Sequence, residues 1–392
     1  MRIVINGVGV AGPALAYWLR RSGHEVTLVE AAPSLRRGGY VIDFWGIGYD
    51  IADRMGLIPA MRSRGYQVQE VRFVDRRGRR EGGFRVDVFS RLTHDRFTSL
   101  RRSDVSAILY EALDPDVETI FGDSIASLED LGGVVRVGFE HAAPRDFDLV
   151  IGADGLHSRV RELAFGPAST REIALGYHVA AFEVPDYPHR DELVYLSHSE
   201  PGRQVSRFSM REGTMFLFIF RDEYLRGRPI EPGQGRDRLQ DVFAGVGWEC
   251  PDILRAMHGA DDFYIDRVSQ IRMPAWTRGR IALVGDAAAA VSLLAGEGTG
   301  LAIAEAYVLA GELAGAGGDH QVAFARYEER LRPFLQAKQR SAAKFASTFA
   351  PRTRLGLALR NLGTELMRIP FFADYLVGRD LRDDIELPEY PF

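Results

Sequence analysis

Three short glycine-containing motifs are the stretches of this sequence whose residue types and spacing suit the binding of a phosphorylated cofactor. The first reads Gly-Val-Gly-Val-Ala-Gly over residues 7–12, directly after a short apolar run. Gly7 allows a tight turn, Gly9 has no Cβ to keep the backbone from a pyrophosphate, and Gly12 lets a helix lie close to the strand. Glu30 follows where an acid would accept hydrogen bonds from ribose hydroxyls. The motif therefore predicts a dinucleotide site.

The segments around this motif are the ones that such a site requires. Arg2–Asn6 and Glu25–Glu30 have the apolar content of strands, and Pro13–Arg21 carries its apolar residues at helical spacing. The sequence therefore predicts a strand, a glycine turn, a helix and a second strand. The N-terminus of that helix would offer free N–H groups and the positive end of its dipole to phosphates.

Two later motifs each close a strand-like apolar run. Asp154 follows one such run and precedes a glycine, and Asp286 follows the other. Gly-Glu-Gly-Thr-Gly over residues 296–300 then precedes a predicted helix, Leu301–Ala314. These stretches return to the pattern of the N-terminal segment, which predicts that they belong to the same domain.

Composition excludes several classes of site and partner. The chain has 392 residues and a formal net charge of -5, and its isoelectric point near 6.0 argues against nucleic acid as a main partner. Cys250 is the single cysteine, so neither an internal disulfide nor a cysteine-based metal cluster can form, and we expect no metal site. No apolar stretch has the length of a signal sequence or a membrane helix. We expect a cytoplasmic protein with no membrane partner, of an oligomeric state that the sequence does not indicate.

The pattern of the sequence predicts an α/β fold in three parts. A discontinuous, Rossmann-like cofactor-binding domain is predicted over residues 1–70, 97–171 and 274–335. A mostly antiparallel β-sheet domain that binds the substrate is predicted as an insertion over residues 71–96 and 172–273. Helices over residues 336–392 are expected to brace both domains.

The inserted domain is predicted from recurring strand-like runs. These runs are Tyr177–Val184, Leu193–Leu196, Gln204–Met210 and Thr214–Phe220. In the last run both alternating sets of side chains are apolar, which predicts a strand buried on both faces. A hairpin is predicted from Gln67–Val74 and Gly83–Phe89, and helix breaks or starts are predicted at Pro333, Pro351 and Pro370.

The three motifs, in this order, resemble those of the class A flavoprotein monooxygenases, which share the p-hydroxybenzoate hydroxylase fold. The branch that contains the tetracycline-inactivating monooxygenases is the most similar in size. The resemblance extends over about residues 1–332, although the sheet domain matches only in its pattern of strands. Three motifs in the same order are more specific than any one of them.

The resemblance implies a noncovalently bound FAD. The residues that it implies as cofactor-binding are Gly7, Gly9, Gly12, Glu30, Arg37, Arg102, Asp154, Asp286, Gly298 and Thr299. Arg101 is an alternative to Arg102 as the arginine that contacts the cofactor. Arg37 lies in a loop that either wraps around the adenosine half of FAD or is a solvated turn.

The resemblance also implies roles for the residues of the two later motifs. Asp154 would support the cofactor-binding turn, with Arg161 in a structural role, and Asp286 would bond the ribityl or phosphate region. Gly298 and Thr299 would present backbone N–H groups to the pyrimidine edge of the flavin. A helix that begins near Thr299 would aim its positive end there and favour the negative charge of the reduced flavin.

The third motif departs from the pattern of the family. The family usually has histidine and proline where this chain has Ala289 and Leu293. Its glutamine and asparagine are replaced here by Glu297 and Gly300. Glu297 is either a solvated loop acid that favours a helix N-terminus or a catalytic carboxylate that reaches the substrate or the flavin.

The activity implied by the resemblance is that of an external flavin monooxygenase. NADPH or NADH would act as a transient reductant of FAD, O2 would add at the flavin C4a, and the hydroperoxide would oxygenate a sizeable aromatic or polycyclic substrate. A flavin reductase or dehydrogenase of the same superfamily, such as a prenyl-lipid reductase, is the alternative, because one fold supports different reactions. A flavoprotein that binds a ligand without turnover is a third possibility, while no tryptophan pair points to a flavin halogenase.

The substrate pocket is predicted to lie on the strands of the inserted domain and beside the third motif. The residues expected to line it are His178, Arg207, Phe216, Phe218 and Leu293. Sheet core is the alternative for the two phenylalanines. A surface or internally paired position is the alternative for His178 and Arg207.

Overall fold

The computed structural model of the protein describes residues 1–36, 40–367, 383 and 385–392. Its strands are β1 (Arg2–Asn6), β2 (Glu25–Glu30), β3 (Val41–Trp45), β4 (Glu70–Val74), β5 (Arg80–Arg85), β6 (Phe97–Arg101), β7 (Glu118–Phe121), β8 (Ile125–Asp130), β9 (Val135–Phe139), β10 (Arg145–Phe147), β11 (Leu149–Gly152), β12 (Arg171–Val184), β13 (Val194–Glu200), β14 (Arg203–Met210), β15 (Gly213–Arg221), β16 (Phe263–Arg272), β17 (Thr277–Arg278) and β18 (Ile281–Leu283).

Helices connect these strands and form the C-terminal part of the chain. The α-helices are α1 (Ala11–Arg21), α2 (Gly46–Arg54), α3 (Ile58–Arg64), α4 (Asp87–Leu92), α5 (Arg102–Glu111), α6 (Arg159–Phe165), α7 (Gly235–Phe243), α8 (Cys250–Ala256), α9 (Asp286–Ala289), α10 (Gly298–Gly315), α11 (His320–Phe349) and α12 (Arg354–Leu366). Short 3-10 helices cover Pro167–Ser169, Asp222–Leu225, Met257–Gly259 and Leu293–Ala295.

A six-stranded sheet brings the three motifs together. Its strand order is β17-β18-β11-β1-β2-β7, and β1 runs parallel to both β11 and β2. β11 in turn runs parallel to β18. Because parallel strands end at the same edge of a sheet, the turns that follow β1, β11 and β18 lie side by side. These turns contain Gly7, Asp154 and Asp286.

A seven-stranded sheet forms the second layer of the fold. Its order is β16-β12-β15-β14-β13-β4-β5, and within it only the β4–β13 pair is parallel. β15 is buried along most of its length, as its apolar residues on both faces predict. Phe216, Phe218 and Phe220 face a cluster that includes residues of α7 and α8. Met215, Leu217 and Ile219 face the opposite way.

The α/β fold predicted from the sequence is confirmed, with a Rossmann-like sheet, a mostly antiparallel sheet and C-terminal helices. Several local predictions are wrong. The second strand of the predicted hairpin is β5 and ends at Arg85, because residues 87–92 form α4. β16, a ten-residue strand at the edge of the large sheet, was not predicted. Pro333 lies inside α11 and does not break it, whereas Pro351 precedes α12 and Pro370 lies outside the described residues.

The C-terminal residues 385–392 pack against the helices of the six-stranded sheet. The Phe392 ring lies 4.5 Å from that of Trp18, and the Tyr390 ring lies 5.2 Å from that of Tyr307. The Tyr390 hydroxyl donates to Glu312 at 2.7 Å. This end of the chain is therefore part of the core around α1 and α10. In the part of the chain that the structure describes, no helix is both long and apolar enough to span a membrane.

Candidate cofactor site

Two of the three glycines of the first motif occupy positions that no other residue fits without a shift. Gly7 has φ +111°, and a Cβ there would collide with the carbonyl oxygen of Ala153. A Cβ on Gly12 would collide with the carbonyl oxygen of Gly7. Gly9 differs, because its Cβ would meet only Arg102 Nη2, at 3.9 Å. The backbone at Gly9 therefore faces open space beside an arginine, whereas Gly7 and Gly12 are required by close contacts with neighbouring backbone.

α1 begins at this turn without a side-chain cap. Its N-cap residue, Val10, makes no side-chain hydrogen bond, and its first turn contains no acidic residue. An uncapped helix N-terminus next to a cationic side chain is a ready site for an anion such as a phosphate group. The glycine turn, the N-terminus of α1 and the side chain of Arg102 therefore lie around one candidate site for a phosphate group.

Glu30, at the end of β2, hydrogen-bonds to the glycine turn that follows β1. Its Oε2 accepts a hydrogen bond from the N–H of Val8 at 2.9 Å, and its Oε1 accepts one from the N–H of Ala32 at 3.0 Å. Arg36 lies 3.6 Å from the same carboxylate. The sequence predicted a ribose ligand here, and the structure adds that Glu30 also fixes the backbone of the glycine turn.

The carboxylate of Asp154 accepts four hydrogen bonds from the protein. The donors are the side chains of Asn6 and Ser158 and the backbone N–H groups of Arg159 and Val160. It therefore caps the N-terminus of α6 and connects that helix to β1.

Arg161 is buried and donates to two backbone carbonyls. The acceptors are the carbonyl oxygens of Ala287, at 3.1 Å, and Leu156, at 2.6 Å. Because these bonds join the turns of the second and third motifs, the geometry supports the structural role expected for Arg161.

Asp286 contrasts with these paired groups. It is the first residue of α9, its side chain is exposed, and none of the described residues hydrogen-bonds its carboxylate. Burial nevertheless raises the pKa of Asp286, against the opposing effects of Arg102 and Arg161. Solvent reaches the Asp286 side chain, and protein surrounds it closely enough to raise its pKa, so this residue lies in a recess. We call the recess that contains Asp286 the central cleft.

Two tyrosines that the sequence did not reveal also border the central cleft. The rings of Tyr40 and Tyr264 are 6.1 Å apart, and Arg102 N–H donates to the Tyr40 carbonyl at 3.1 Å. Burial raises the pKa of both phenols, Arg102 lowers it, and Asp286 raises it further. Tyr264 lies on β16, the strand that was not predicted, so no sequence signal placed it here.

Glu305 is a buried acid beneath the third motif that the sequence also did not reveal. Its Oε2 accepts a hydrogen bond from the N–H of Gly285 at 2.7 Å and lies 3.3 Å from the Tyr327 hydroxyl. Burial raises the pKa of Glu305 to about 8, and the charge of Asp286 contributes in the same direction. Glu305 therefore holds the turn that carries Asp286.

The two neighbouring arginines have different surroundings. Arg102 lies beside Gly9 and Asp286, as described above. Arg101 turns away and pairs with Glu183 at 2.6 Å and Glu212 at 3.3 Å. The geometry therefore favours Arg102 for a contact with the cofactor, while Arg37 lies outside the described residues.

The N-terminus of α10 also faces the central cleft. α10 begins at Gly298, and a Cβ on that residue would lie 3.9 Å from Asp286 Oδ1. Thr299 is buried directly after it. Gly300 lies where α10 crosses α2, because a Cβ on Gly48 would collide with the Cα of Gly300. Close helix packing is thus a structural reason for glycine at position 300.

Glu297 has a partner that neither interpretation of the sequence included. Its Oε1 accepts a hydrogen bond from Lys338 Nζ at 2.9 Å, and only 16% of its side chain is exposed. The same ammonium lies 2.7 Å from Asp383 Oδ1. Glu297 is therefore an ion-paired residue at the start of α10. Ala289, the other departure in this region, is buried in the main core.

Four of the five predicted pocket residues lie on the face of the large sheet that packs against α7 and α8. Phe216 and Phe218 are fully buried in the cluster that contains α7 and α8, so the sheet-core interpretation describes them. His178 stacks on Phe220 of that face, and its Nδ1 lies 2.9 Å from Asp222. Burial lowers the pKa of His178, and Asp222 opposes this effect.

Arg207 is the fourth residue of this set. It is 1% exposed and lies opposite Phe216 in the β14–β15 pairing. Its Nη2 pairs with Asp191 at 2.7 Å, and its Nη1 lies 3.5 Å from Glu249. Arg207 therefore occupies an internally paired position, which is the alternative interpretation that the sequence allowed. Side chains alternate between the two faces of a strand, and the sequence does not state which face meets the other layer.

Leu293 lies on the opposite face, together with residues that were not predicted. It packs against a cluster that contains Val179 and Ile219, with Leu217 partly buried beside it. Leu217 also borders the cluster around Phe208 and Met215. The apolar surface near the third motif is thus built from the odd-numbered residues of β12 and β15.

Known proteins are similar to this chain over most of its length. A protein family described as FAD binding domain matches residues 1–341. A flavin-dependent monooxygenase from an unknown prokaryotic organism is 36% identical over 350 residues, which cover 89% of this chain and 90% of the relative. The chain is a member of the FAD-dependent monooxygenases. An uncharacterised protein of Mycobacterium tuberculosis is 43% identical over 345 residues, covering 86% of this chain and 91% of the relative.

One solved structure shows the same architecture. The crystal structure of tetracycline destructase Tet(51) superposes with a TM-score of 0.85 at 32% sequence identity and covers 99% of both chains. The similarity therefore includes the large sheet, which the sequence matched only by pattern, and the C-terminal helices, which lie beyond the resemblance seen in the sequence.

The central cleft fits the FAD that this family binds. The uncapped N-terminus of α1, the open backbone at Gly9 and the charge of Arg102 suit a pyrophosphate. Asp286 is an acceptor without a partner among the described residues, as a carboxylate that bonds a ribityl chain or a bound water would be. Among the described residues, no group of three or more His, Cys, Asp or Glu side chains is placed to hold a metal ion.

Proposed function

We propose that this FAD-dependent monooxygenase is an external one that takes reducing equivalents from NADPH or NADH and inserts one atom of O2 into a sizeable aromatic or polycyclic substrate. When bound, FAD supplies the chemistry, because it accepts a hydride from the nicotinamide and activates O2. The protein positions the cofactor and the substrate and keeps water from the reacting atoms.

The cofactor part of this proposal rests on the carboxylate of Asp286, which has no hydrogen-bond partner among the described residues and lies near the N-termini of α1 and α10. In the proposal, Gly9 and Arg102 contact the pyrophosphate, and Asp286 accepts a hydrogen bond from the ribityl region. Glu30 accepts one from the adenosine ribose. Gly298 and Thr299 are assigned to the flavin end of the cofactor, Gly7, Gly12 and Asp154 shape the turns that hold it, and Arg37 is kept as a prediction.

The start of α10 has an electrostatic role in the proposal. α10 has eighteen residues, so its N-terminus carries the positive end of a substantial helix dipole. Gly298 and Thr299 direct their backbone N–H groups toward the side of the cofactor that gains negative charge on reduction. A preorganised dipole stabilises that charge without any rearrangement.

The substrate class is inferred from the apolar face of the large sheet. Leu293 and Leu217 are partly buried there, next to the third motif, and neither carries a charge. A surface of this kind suits rings more than it suits a charged or strongly polar substrate. The similarity to a tetracycline destructase supports a polycyclic substrate.

The proposed domain division follows from the same arrangement. The cofactor-binding domain comprises residues 1–70, 97–171 and 274–335, and the substrate domain comprises residues 71–96 and 172–273. β4 and β5 of the 71–96 segment are strands of the large sheet, which supports this assignment. Residues 336–392 are proposed to brace both domains.

The proposal is tested with the purified protein, a panel of phenols, polyketides and tetracyclines, and NADPH or NADH. We expect a yellow protein that releases FAD on heat denaturation, consumes O2 with the nicotinamide, and yields a product heavier by one oxygen atom. With 18O2, the added atom carries the label. A product reduced at a double bond without O2 uptake would indicate a reductase instead. If neither NADPH nor NADH reduces the bound flavin, whichever compound of the panel is present, the protein binds a ligand without turnover.

A further inference from the structure

Lys338 joins three parts of the chain that are far apart in sequence. Its ammonium on α11 lies 2.9 Å from Glu297 Oε1, at the start of α10, and 2.7 Å from Asp383 Oδ1, near the C-terminus. Asp383 Oδ2 accepts the N–H of Ile47 at 2.7 Å, in the first turn of α2. The side chains of Lys338, Glu297 and Asp383 are 10%, 16% and 15% exposed, so solvent screens this cluster only weakly.

The residue type at this position is unusual for this protein. The chain has 49 lysine and arginine residues, and only Lys338 and Lys344 are lysines. A compact ammonium can touch two carboxylates at once from a narrow space, whereas a guanidinium needs a wider, planar arrangement. Lys338 also lies 5.6 Å from the centre of the Phe334 ring, which limits the space further. The geometry therefore suits lysine at this position.

The cluster borders the edge of the proposed cofactor site. Glu297 directly precedes Gly298, the first residue of α10, and lines a recess together with Asp43, Trp45 and Gly300. Asp383 lines the same recess, so three carboxylates face it. Burial lowers the pKa of Lys338, but Glu297 and Asp383 outweigh this effect and raise it overall, so the lysine stays charged.

We propose that Lys338 is a positioning residue that neutralises Glu297 beside the flavin edge and so favours reduction of the cofactor. The inference rests on the proposed function, because it places the flavin edge at the N-terminus of α10. Without the lysine, two weakly screened carboxylates would oppose the negative charge that FAD gains on reduction. Lys338 and the dipole of α10 then act in the same direction at the same edge.

The test measures the midpoint potential of the bound FAD in the full-length holoenzyme. In Lys338→Met we expect the affinity for reduced FAD, relative to oxidised FAD, to fall about tenfold, a shift of about 30 mV to more negative potential for a two-electron couple. The double variant Glu297→Gln/Lys338→Met removes the opposing charge as well, and its potential returns toward that of the wild type. Arg340→Met, which removes an exposed charge from the same helix, leaves the potential unchanged.

The outcomes separate this inference from its alternatives. A Lys338→Met protein that unfolds at lower temperature but holds FAD at the wild-type potential would show a purely structural lysine and overturn the inference. A potential that falls but does not recover when Glu297→Gln is added would also overturn it. If Lys338→Met does not fold, Lys338→Gln keeps hydrogen bonds to both carboxylates without the charge, and the same shift is expected. A wild-type protein that binds no FAD would refute the proposed function and this inference with it.

Discussion

The acidic residues of the three motifs have different hydrogen-bond partners, although each lies at or just after the end of a strand-like run in the sequence. Glu30 and Asp154 accept hydrogen bonds from the protein itself, so they stabilise the turns in which they lie. Asp286 has no such partner among the described residues, and burial raises its pKa. Its ionised form therefore costs stability in the apoprotein and becomes useful only when a ligand supplies a donor.

Asp286→Asn is expected to separate binding from stability. The loss of a charge-assisted hydrogen bond should weaken FAD binding by about 1–3 kcal/mol, as measured by titration of the apoprotein with FAD. The free energy of unfolding of the apoprotein should stay equal or rise, because an uncompensated acid is removed. Asp154→Asn is the matched control and should lower it, because four donors lose a charged acceptor. Unchanged FAD affinity in Asp286→Asn would refute the placement of the cofactor.

Glu305 predicts a pH dependence of stability. Its pKa is about 8 in the folded protein and near 4.5 in the unfolded chain, so the folded state holds a proton that the unfolded state loses between these values. The stability that this proton provides is complete below about pH 4.5 and is lost as the pH rises through 8, with a slope of at most about 1.4 kcal/mol per pH unit. Glu305→Gln should flatten the curve of unfolding free energy of the apoprotein between pH 5 and 8. Parallel curves for the two proteins would show that Glu305 is ionised throughout.

At the scale of the element, β15 shows how one strand serves two purposes. Phe218 faces the helices α7 and α8 and is fully buried, while Leu217 faces the third motif and is only partly buried. Adjacent residues on a strand point to opposite sides of the sheet. The strand therefore contributes one face to the core and the other to the proposed substrate surface.

Substitutions at these two neighbours should have different effects. Phe218→Ala is expected to lower the free energy of unfolding by about 3–5 kcal/mol and to leave the product unchanged, because it opens a cavity in the core. Leu217→Ala should cost less stability and alter the KM or the position of oxygenation. Urea unfolding and product analysis of both variants provide the comparison. A changed product in Phe218→Ala at near wild-type stability would return the pocket to the face first predicted.

At the scale of the whole molecule, the C-terminal residues complete the core of the N-terminal layer. Tyr390 packs so closely on α10 that a Cβ on Gly311 would collide with its ring. The Tyr307 hydroxyl donates to the carbonyl oxygen of Pro388 at 2.8 Å. Removal of these residues would expose the aromatic cluster around Trp18, so we expect a chain that lacks residues 385–392 to unfold at lower temperature and to bind FAD poorly.

Gly311→Ala tests this packing through the sign of its effect. In the intact chain the added methyl must displace Tyr390, and we expect a loss of about 1–3 kcal/mol in the free energy of unfolding. In a chain that lacks residues 385–392 the same change should stabilise the helix by about 0.5–1 kcal/mol, because alanine restricts the unfolded chain more than glycine does. Thermal unfolding of the four proteins gives the comparison. Stabilisation in both backgrounds would show that the C-terminal residues do not pack on α10.

The sequence alone determined the features that depend on local geometry. The backbone of the turn requires glycine at 7, through its positive φ, and at 12, through the nearby carbonyl of Gly7. The run before each motif indicates a buried strand by its composition. From these, the family, the Rossmann-like sheet and the cofactor followed, because the motif and the elements that position it lie next to each other in the chain.

Tertiary structure decided the features that depend on which surfaces meet. Only the packing of the two layers shows that Leu217, and not Phe218, faces the third motif, since alternation sets two faces without assigning either one. Only the fold brings Lys338 and Asp383 to Glu297, and Tyr264 to Asp286, because these residues are separated by long stretches of chain. Long-range charge pairs leave no spacing in the sequence from which they could be predicted.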